Sequence, residues 1–144
     1  MTCTVSEGSG FKSVVGNLAF TEGNKYYFEI YVIKGSLIKI GVTKSFGLIE
    51  EAFSDNPKGW AIYNGEVRHN SNASGKKYGS QITAGDTIGV MINMIDGTLS
   101  FSKNGQNFGV AFTDEELKKG ELFAACAPIY KNDSFCLKMM IRED

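Results

Sequence analysis

The sequence predicts an all-β chain folded as a two-layer antiparallel β-sandwich, with at most one or two short helical turns, and three observations carry that prediction. Apolar side chains recur at every second position in run after run. Glycine is abundant, at 17 of 144 residues, while proline occurs twice. Dipeptides that favour tight turns separate the runs. Period two is the repeat of a strand with one buried side, and several such strands need a second layer, because a lone sheet leaves its apolar face in water.

The elements follow in order. In Tyr26-Tyr27-Phe28-Glu29-Ile30-Tyr31-Val32, one face collects Tyr26, Phe28, Ile30 and Val32. A turn at Lys34-Gly35-Ser36 leads to a second run, in which Ile38, Ile40 and Val42 point one way and Lys39 and Gly41 the other. Residues 45–58 stay open: Leu48-Ile49-Glu50-Glu51-Ala52-Phe53 fits a short helix or an apolar-anchored loop. Ile88, Val90, Ile92 and Met94 alternate, Asp96-Gly97 gives a two-residue hairpin signal, and Leu99 and Phe101 resume the apolar face. Asn104-Gly105 predicts a type I′ turn, with Phe108, Val110 and Phe112 on the returning strand. One short helix is predicted, capped by Thr113, with Glu116 completing a capping box and Gly120 ending it. Strands over 122–128 and 135–141 close the pattern, the last with Phe135, Leu137, Met139 and Ile141 on one face. No repeat, low-complexity tract or linker interrupts the chain, so a single domain is expected over 1–144, its core at about 11–142.

Charge and cysteine usage narrow the function. Lys+Arg at 15 against Asp+Glu at 16 give a net charge of -1, so no excess of positive charge exists to neutralise phosphates or anionic lipid. Neither a nucleic-acid nor a membrane partner is expected. No stretch approaches the roughly 18 apolar residues of a span, and the first ten residues lack the basic start and apolar run of a signal peptide. Cys3, Cys126 and Cys136 are odd in number and lack Cys-x-x-Cys spacing, which predicts reduced thiols in an intracellular, cytoplasmic setting. Cys126 and Cys136 sit on consecutive strands, close enough in sequence order to lie near each other, and are read as buried free thiols. The triplets Asn72-Ala73-Ser74 and Asn132-Asp133-Ser134 are read as loop residues.

Catalysis has little to work with. An enzyme needs a nucleophile, a base and an orienter, or paired carboxylates, and the chain has a single histidine. His69 is read as structural, since nothing in the sequence places it beside Cys126. One histidine and unclustered cysteines cannot assemble a zinc set, and Gly75-Lys76-Lys77 lacks the earlier glycine and the Ser or Thr of a phosphate loop. No enzyme activity, cofactor or metal is expected. Trp60 is read as buried; Tyr27 and Tyr31, opposite the apolar face, meet either a partner or water.

The order of these motifs resembles the SPRY domain family. Lys25-Tyr26-Tyr27-Phe28-Glu29-Ile30 resembles its first aromatic strand, Ile40-Gly41-Val42 the strand after it, and Gly59-Trp60, His69-Asn70 and Tyr78-Gly79 follow in register. Gly85-Asp86-Thr87-Ile88-Gly89-Val90 comes next. Then Gly97-Thr98-Leu99-Ser100-Phe101-Ser102-Lys103-Asn104-Gly105, with Gly109-Val110-Ala111-Phe112, resembles the family's most specific hairpin. Tyr27 stands where tryptophan is usual, Leu122-Phe123-Ala124-Ala125-Cys126 replaces a common late-strand opening, and too few residues precede Phe11 for the additional PRY segment of some relatives.

The resemblance implies a concanavalin-like sandwich and a protein-interaction module, an adaptor or scaffold component, that grips a short peptide or loop of a partner with the loops at one end. Carried over by local alignment, the partner-binding residues are Ser6 and Gly8 in the stretch 6–10, Arg68 before His69, and Ile129, Tyr130, Lys131 and Asn132. Relatives that bind peptides place tyrosine at Arg68 and tryptophan near Tyr130; Arg68 points to an acidic or carbonyl-rich ligand. Two rival functions stand beside this one: a structural subunit of a multi-protein complex, and a lectin-like sandwich that binds carbohydrate.

Overall fold

Two six-stranded antiparallel sheets stack face to face in a computed structural model that describes residues 2–6, 10–44 and 50–143. The first sheet runs in the order β1 (Thr2–Thr4), β12 (Ser134–Glu143), β3 (Lys25–Lys34), β8 (Thr87–Asn93), β9 (Thr98–Lys103) and β10 (Gln106–Thr113). The second runs β2 (Val14–Val15), β11 (Phe123–Ala127), β4 (Lys39–Thr43), β5 (Gly59–Tyr63), β6 (Glu66–His69) and β7 (Lys76–Lys77). Among the described residues no helix is long and apolar enough to cross a membrane.

The alternation read in β3, β4 and β8 is the inner face of this sandwich. Phe28, Ile30, Val32, Ile88, Val90 and Ile92 from one sheet meet Ile40, Val42, Trp60, Ile62 and Val67 from the other, all buried. The second sheet is also covered on its outside. Ala61, Ala125 and Ala127 pack there with Ala52 and Phe53, and Phe11 and Val15 lie against them. The cover is close: a Cβ on Gly59 would sit 2.0 Å from the Phe53 carbonyl oxygen, and within the sheet one on Gly41 would sit 1.9 Å from the Trp60 carbonyl oxygen of the neighbouring strand. Residues 50–58 form turns rather than a helix, and Leu48 and Ile49 lie outside the described residues.

Long-range pairing corrects several local expectations. β3 and β4 belong to different sheets, so the turn at Gly35 carries the chain between layers. Asn93 pairs with Thr98, which makes the β8–β9 loop four residues long, and Asp96-Gly97 forms only its second half. Asn104 and Gly105 do form the two-residue β9–β10 turn, with φ of 52° and 85°. The phase of β10 then slips twice, after Asn107 and after Val110, so Val110 is 58% exposed where continued alternation predicts burial. A register shift between Leu137 and Met139 does the same in β12: Met140 packs against the core and Ile141, opposite Tyr27, is 47% exposed. The helical turn is 3₁₀, Glu115–Lys118, and Asp114 caps it through Oδ1, because Thr113 still pairs with Thr98 in β10.

The thiols also sort differently. Cys126 is buried in β11 of the second sheet and Cys136 half-buried in β12 of the first, opposite Tyr31. Consecutive strands are not neighbours here, and it is Cys3, half-buried in β1, whose charge is felt at Cys126 after the larger effect of burial, which pushes the Cys126 thiol up.

Candidate functional site

One end of the second sheet gathers the ends of β5 and β11 and the starts of β4 and β6, and the outward side chains there form a compact polar and aromatic cluster. Lys39 opens β4, Tyr63 ends β5, and Glu66 and Arg68 stand two residues apart on β6, hence on one face. Ala61 is the residue opposite Arg68, so nothing bulky separates it from its neighbours across the sheet. Arg68 is 9% exposed. Its Nε donates to Glu66 Oε1 in an ion pair, and its guanidinium lies 5.0 Å from the centre of the Tyr63 ring. The returning loop covers its stem: a Cβ on Gly75 would meet Arg68 Cδ at 2.9 Å.

Lys39 is more deeply placed, at 1% exposed. Its ammonium sits 4.1 Å from the Phe11 ring centre and 5.2 Å from that of Tyr63, and pairs with Asp55 Oδ1 at 3.3 Å. Burial pulls its pKa below the ordinary lysine range; Asp55 opposes that pull and the Arg68 charge adds to it. Phe11 meets Tyr63 edge to face at 5.7 Å. Burial raises the Tyr63 phenol, the Arg68 charge lowers it, and Glu66 and Tyr130 raise it further.

Tyr130 stands on the loop that leaves β11. The ring is 56% exposed, but its backbone is held. Asp133, itself buried, accepts through Oδ2 from the N–H of Tyr130 at 3.0 Å and of Ile129 at 3.4 Å, while its own N–H donates to the Tyr130 carbonyl. Asn132 closes the turn at φ 72°. The same loop clasps the N-terminal segment, with Asn132 N–H donating to the Val5 carbonyl and Val5 N–H to that of Asp133, each at 2.9 Å. Ser6, exposed, follows on, lining a cleft of about 260 Å³ with Val5, Gly10, Lys12 and Pro128.

Of the expected partner-binding residues, Ser6, Ile129, Tyr130, Lys131 and Asn132 thus belong to two hydrogen-bonded segments, while Arg68 stands on β6 against Tyr63. Ile129 is half-buried, Lys131 and Asn132 are exposed, and Gly8 lies outside the described residues. Sequence reasoning missed Phe11, Lys39, Asp55, Tyr63 and Glu66. Glu66 had a local signal, two residues from Arg68 on one strand; Lys39 and Asp55 had none, because an outward lysine reads as solvated until a loop is known to cover it.

Next to the Ala61–Arg68 pair, on the inner face of the sheet, lie Trp60 and His69. His69 Nδ1 donates to the Gly59 carbonyl at 2.8 Å, its ring stacks on Trp60, and Trp60 Nε1 donates to Asp114 Oδ2 at 3.2 Å. These contacts give both rings a packing role. Among the described residues no group of three metal-binding side chains occurs.

Comparison with known proteins adds the following. A family model described as SPRY domain matches residues 25–141. Ran-binding protein 9 of Xenopus laevis is 37% identical over 97 residues, 62% of this chain and 17% of that protein, and Ran-binding protein 10 of Danio rerio is 37% identical over 97 residues, 62% of this chain and 15% of that one. The chain therefore spans about a sixth of the length of these relatives. Among solved structures, the SPRY domain of human HERC1 superposes with a TM-score of 0.71 at 23% identity, covering 90% of this chain and 84% of that one. A human SPRY domain superposes at 0.74 and 21% identity, covering 94% and 89%. These two likenesses concern the fold.

Proposed function

The chain belongs to the SPRY domain family, a family of protein-interaction modules, and from that premise we propose that it is a non-catalytic adaptor that binds a short peptide or loop of a partner protein through the loops at one end of the sandwich, with Tyr130, Arg68 and Ser6 among the residues that take part. The observation that carries this reading is Tyr130: an aromatic ring more than half exposed on a loop whose backbone a buried carboxylate holds. Loops ordered before binding lose little entropy on binding, and an exposed, backbone-held aromatic ring is the kind of anchor that makes an interface hot spot. The names of the Ran-binding relatives support a protein as the partner.

A second reading, a structural subunit of a larger assembly, rests on the outer face of the first sheet. Ile141, Tyr27, Met91, Ser100 and Val110 stand in one register row across five strands, and Ile141, Met91 and Val110 are each more than a third exposed. Pull-down followed by cross-linking separates the two. Wild-type protein cross-linked to its partner through residues near 6, 68 and 130, with capture lost in Tyr130→Ala, supports loop-end binding; cross-links along the Tyr27–Met91 face, unchanged by Tyr130→Ala, support assembly and overturn it. Saturable sugar binding on a glycan array, with no protein captured, favours the carbohydrate-binding alternative.

A further inference from the structure

The charges of the cluster specify the chemistry of the ligand. Two cations, Lys39 and Arg68, stand with two carboxylates, Asp55 and Glu66, and each cation already has its counter-ion: Lys39 is paired with Asp55 and Arg68 with Glu66. The four form one electrostatic network, since the charges of Asp55, Arg68 and Glu66 are all felt at Lys39. Arg68 is thus not a spare positive charge. Its Nε is committed to Glu66, and no described residue accepts from its two terminal amino groups. The side chain is not sealed away either: it keeps 10% of its surface exposed. Arg68 thus combines uncommitted terminal donors with a side chain that is largely buried and held.

Resting on the loop-end reading above, we infer that the Arg68 position accepts a neutral carbonyl oxygen, of a side-chain amide or of the main chain, and rejects a carboxylate. A ligand carboxylate brought to Arg68 meets Glu66 on the same guanidinium, and the attraction of one is offset by the repulsion of the other, while the carboxylate loses its hydration. A carbonyl oxygen takes the same two donors, meets far weaker repulsion and has less hydration to lose. Glu66 is thereby a specificity-determining residue: it cancels the charge that Arg68 presents and leaves its hydrogen bonds on offer. Lys131, exposed beside Tyr130, attracts acidic ligands at long range, but that contribution is common to wild type and to any Glu66 variant and cancels when the two are compared.

The test uses arrays of short random peptides probed with the whole chain. Peptides whose binding falls about tenfold or more in Tyr130→Ala are taken as loop-end ligands. In each, every Asn and Gln is exchanged for Asp and Glu, and the pairs are measured on wild type, Glu66→Gln and Arg68→Ala. The expected result is one position at which the amide binds wild type about tenfold better than the acid, with that preference erased or inverted in Glu66→Gln and the position made indifferent in Arg68→Ala. Where the main chain supplies the carbonyl, the wild type shows no acid preference at any position, and Glu66→Gln creates one. Glu66→Gln is close to isosteric, and unchanged Trp60 emission shows that it is folded. A wild-type preference for the acid at the Arg68-dependent position, or an amide-to-acid ratio that Glu66→Gln leaves unmoved, overturns the inference and leaves loop-end binding standing. An array with no Tyr130-dependent peptide overturns both.

Discussion

Trp60 and His69 lie in parallel planes, their ring centres 4.7 Å apart and tilted by 8°. Asp114 holds the pair from one side: its Oδ2 accepts from Trp60 Nε1 and lies 3.9 Å from His69 Nε2, and its Oδ1 caps the following turn. One carboxylate therefore ties β5, β6 and the end of β10 together. Asp114→Ala removes the bond to the indole and the cap at once and is expected to lower stability by about 2–3 kcal/mol. Urea unfolding followed by the emission of Trp60, the chain's single tryptophan, measures it; a loss below about 0.5 kcal/mol shows that water replaces the carboxylate at no cost.

Asp133 does for the partner loop what Asp114 does for the tryptophan. Asp133→Ala frees the amides of Ile129 and Tyr130 from a buried, charged acceptor and is expected to cost about 3 kcal/mol. Hydrogen exchange at the Tyr130 amide should quicken well beyond what the global loss of stability predicts. Equal protection in variant and wild type means that the loop is ordered by its contact with Val5 instead.

Gly41 tests the packing of the second sheet. Any Cβ there collides with the Trp60 carbonyl on the neighbouring strand, a backbone atom that cannot turn aside. Gly41→Ala is expected to destabilise the fold by more than about 3 kcal/mol. A smaller loss, read from the same unfolding curve, means that β4 and β5 separate without strain.

Alkaline pH should weaken the fold through its tyrosines. Burial raises the phenols of Tyr27, Tyr63 and Tyr78 above the ordinary 10.0, with Glu29 adding to the rise at Tyr27. An acid whose folded pKa lies above its unfolded value stabilises fully below the unfolded value and loses that contribution as pH climbs through the folded one. Tyrosinate absorbance should therefore lag behind that of the urea-unfolded chain above pH 10, and Tyr78→Phe should remove part of the lag. Coincident curves for folded and unfolded chains contradict the burial of these rings.

How much of this was legible beforehand varies residue by residue. Phe28, Ile30, Ile40, Val42 and Val90 were readable as core, because a strand's period places them on one side whatever it packs against. Val110, Ile141 and Met140 were misplaced because each follows a bulge, and a single extra residue reverses every face beyond it. At the candidate site, Tyr130 and Arg68 came from local likeness to a family pattern. Their neighbours Lys39 and Asp55 did not, since a lysine beside glycine on a short strand has the signature of a solvated face.

Local sequence suffices for the class of fold, the inward side of most strands and the tight turn at Asn104-Gly105, all of which depend on residues a few positions apart. Long-range packing set β3 and β4 apart in different sheets, put Cys126 and Cys136 on different sheets, and brought Lys39, Asp55, Glu66 and Arg68 into paired charges beside Phe11 and Tyr63. The physical reason is range: periodicity and turn chemistry act along the chain, whereas the burial of a charge depends on which distant segment comes to lie over it.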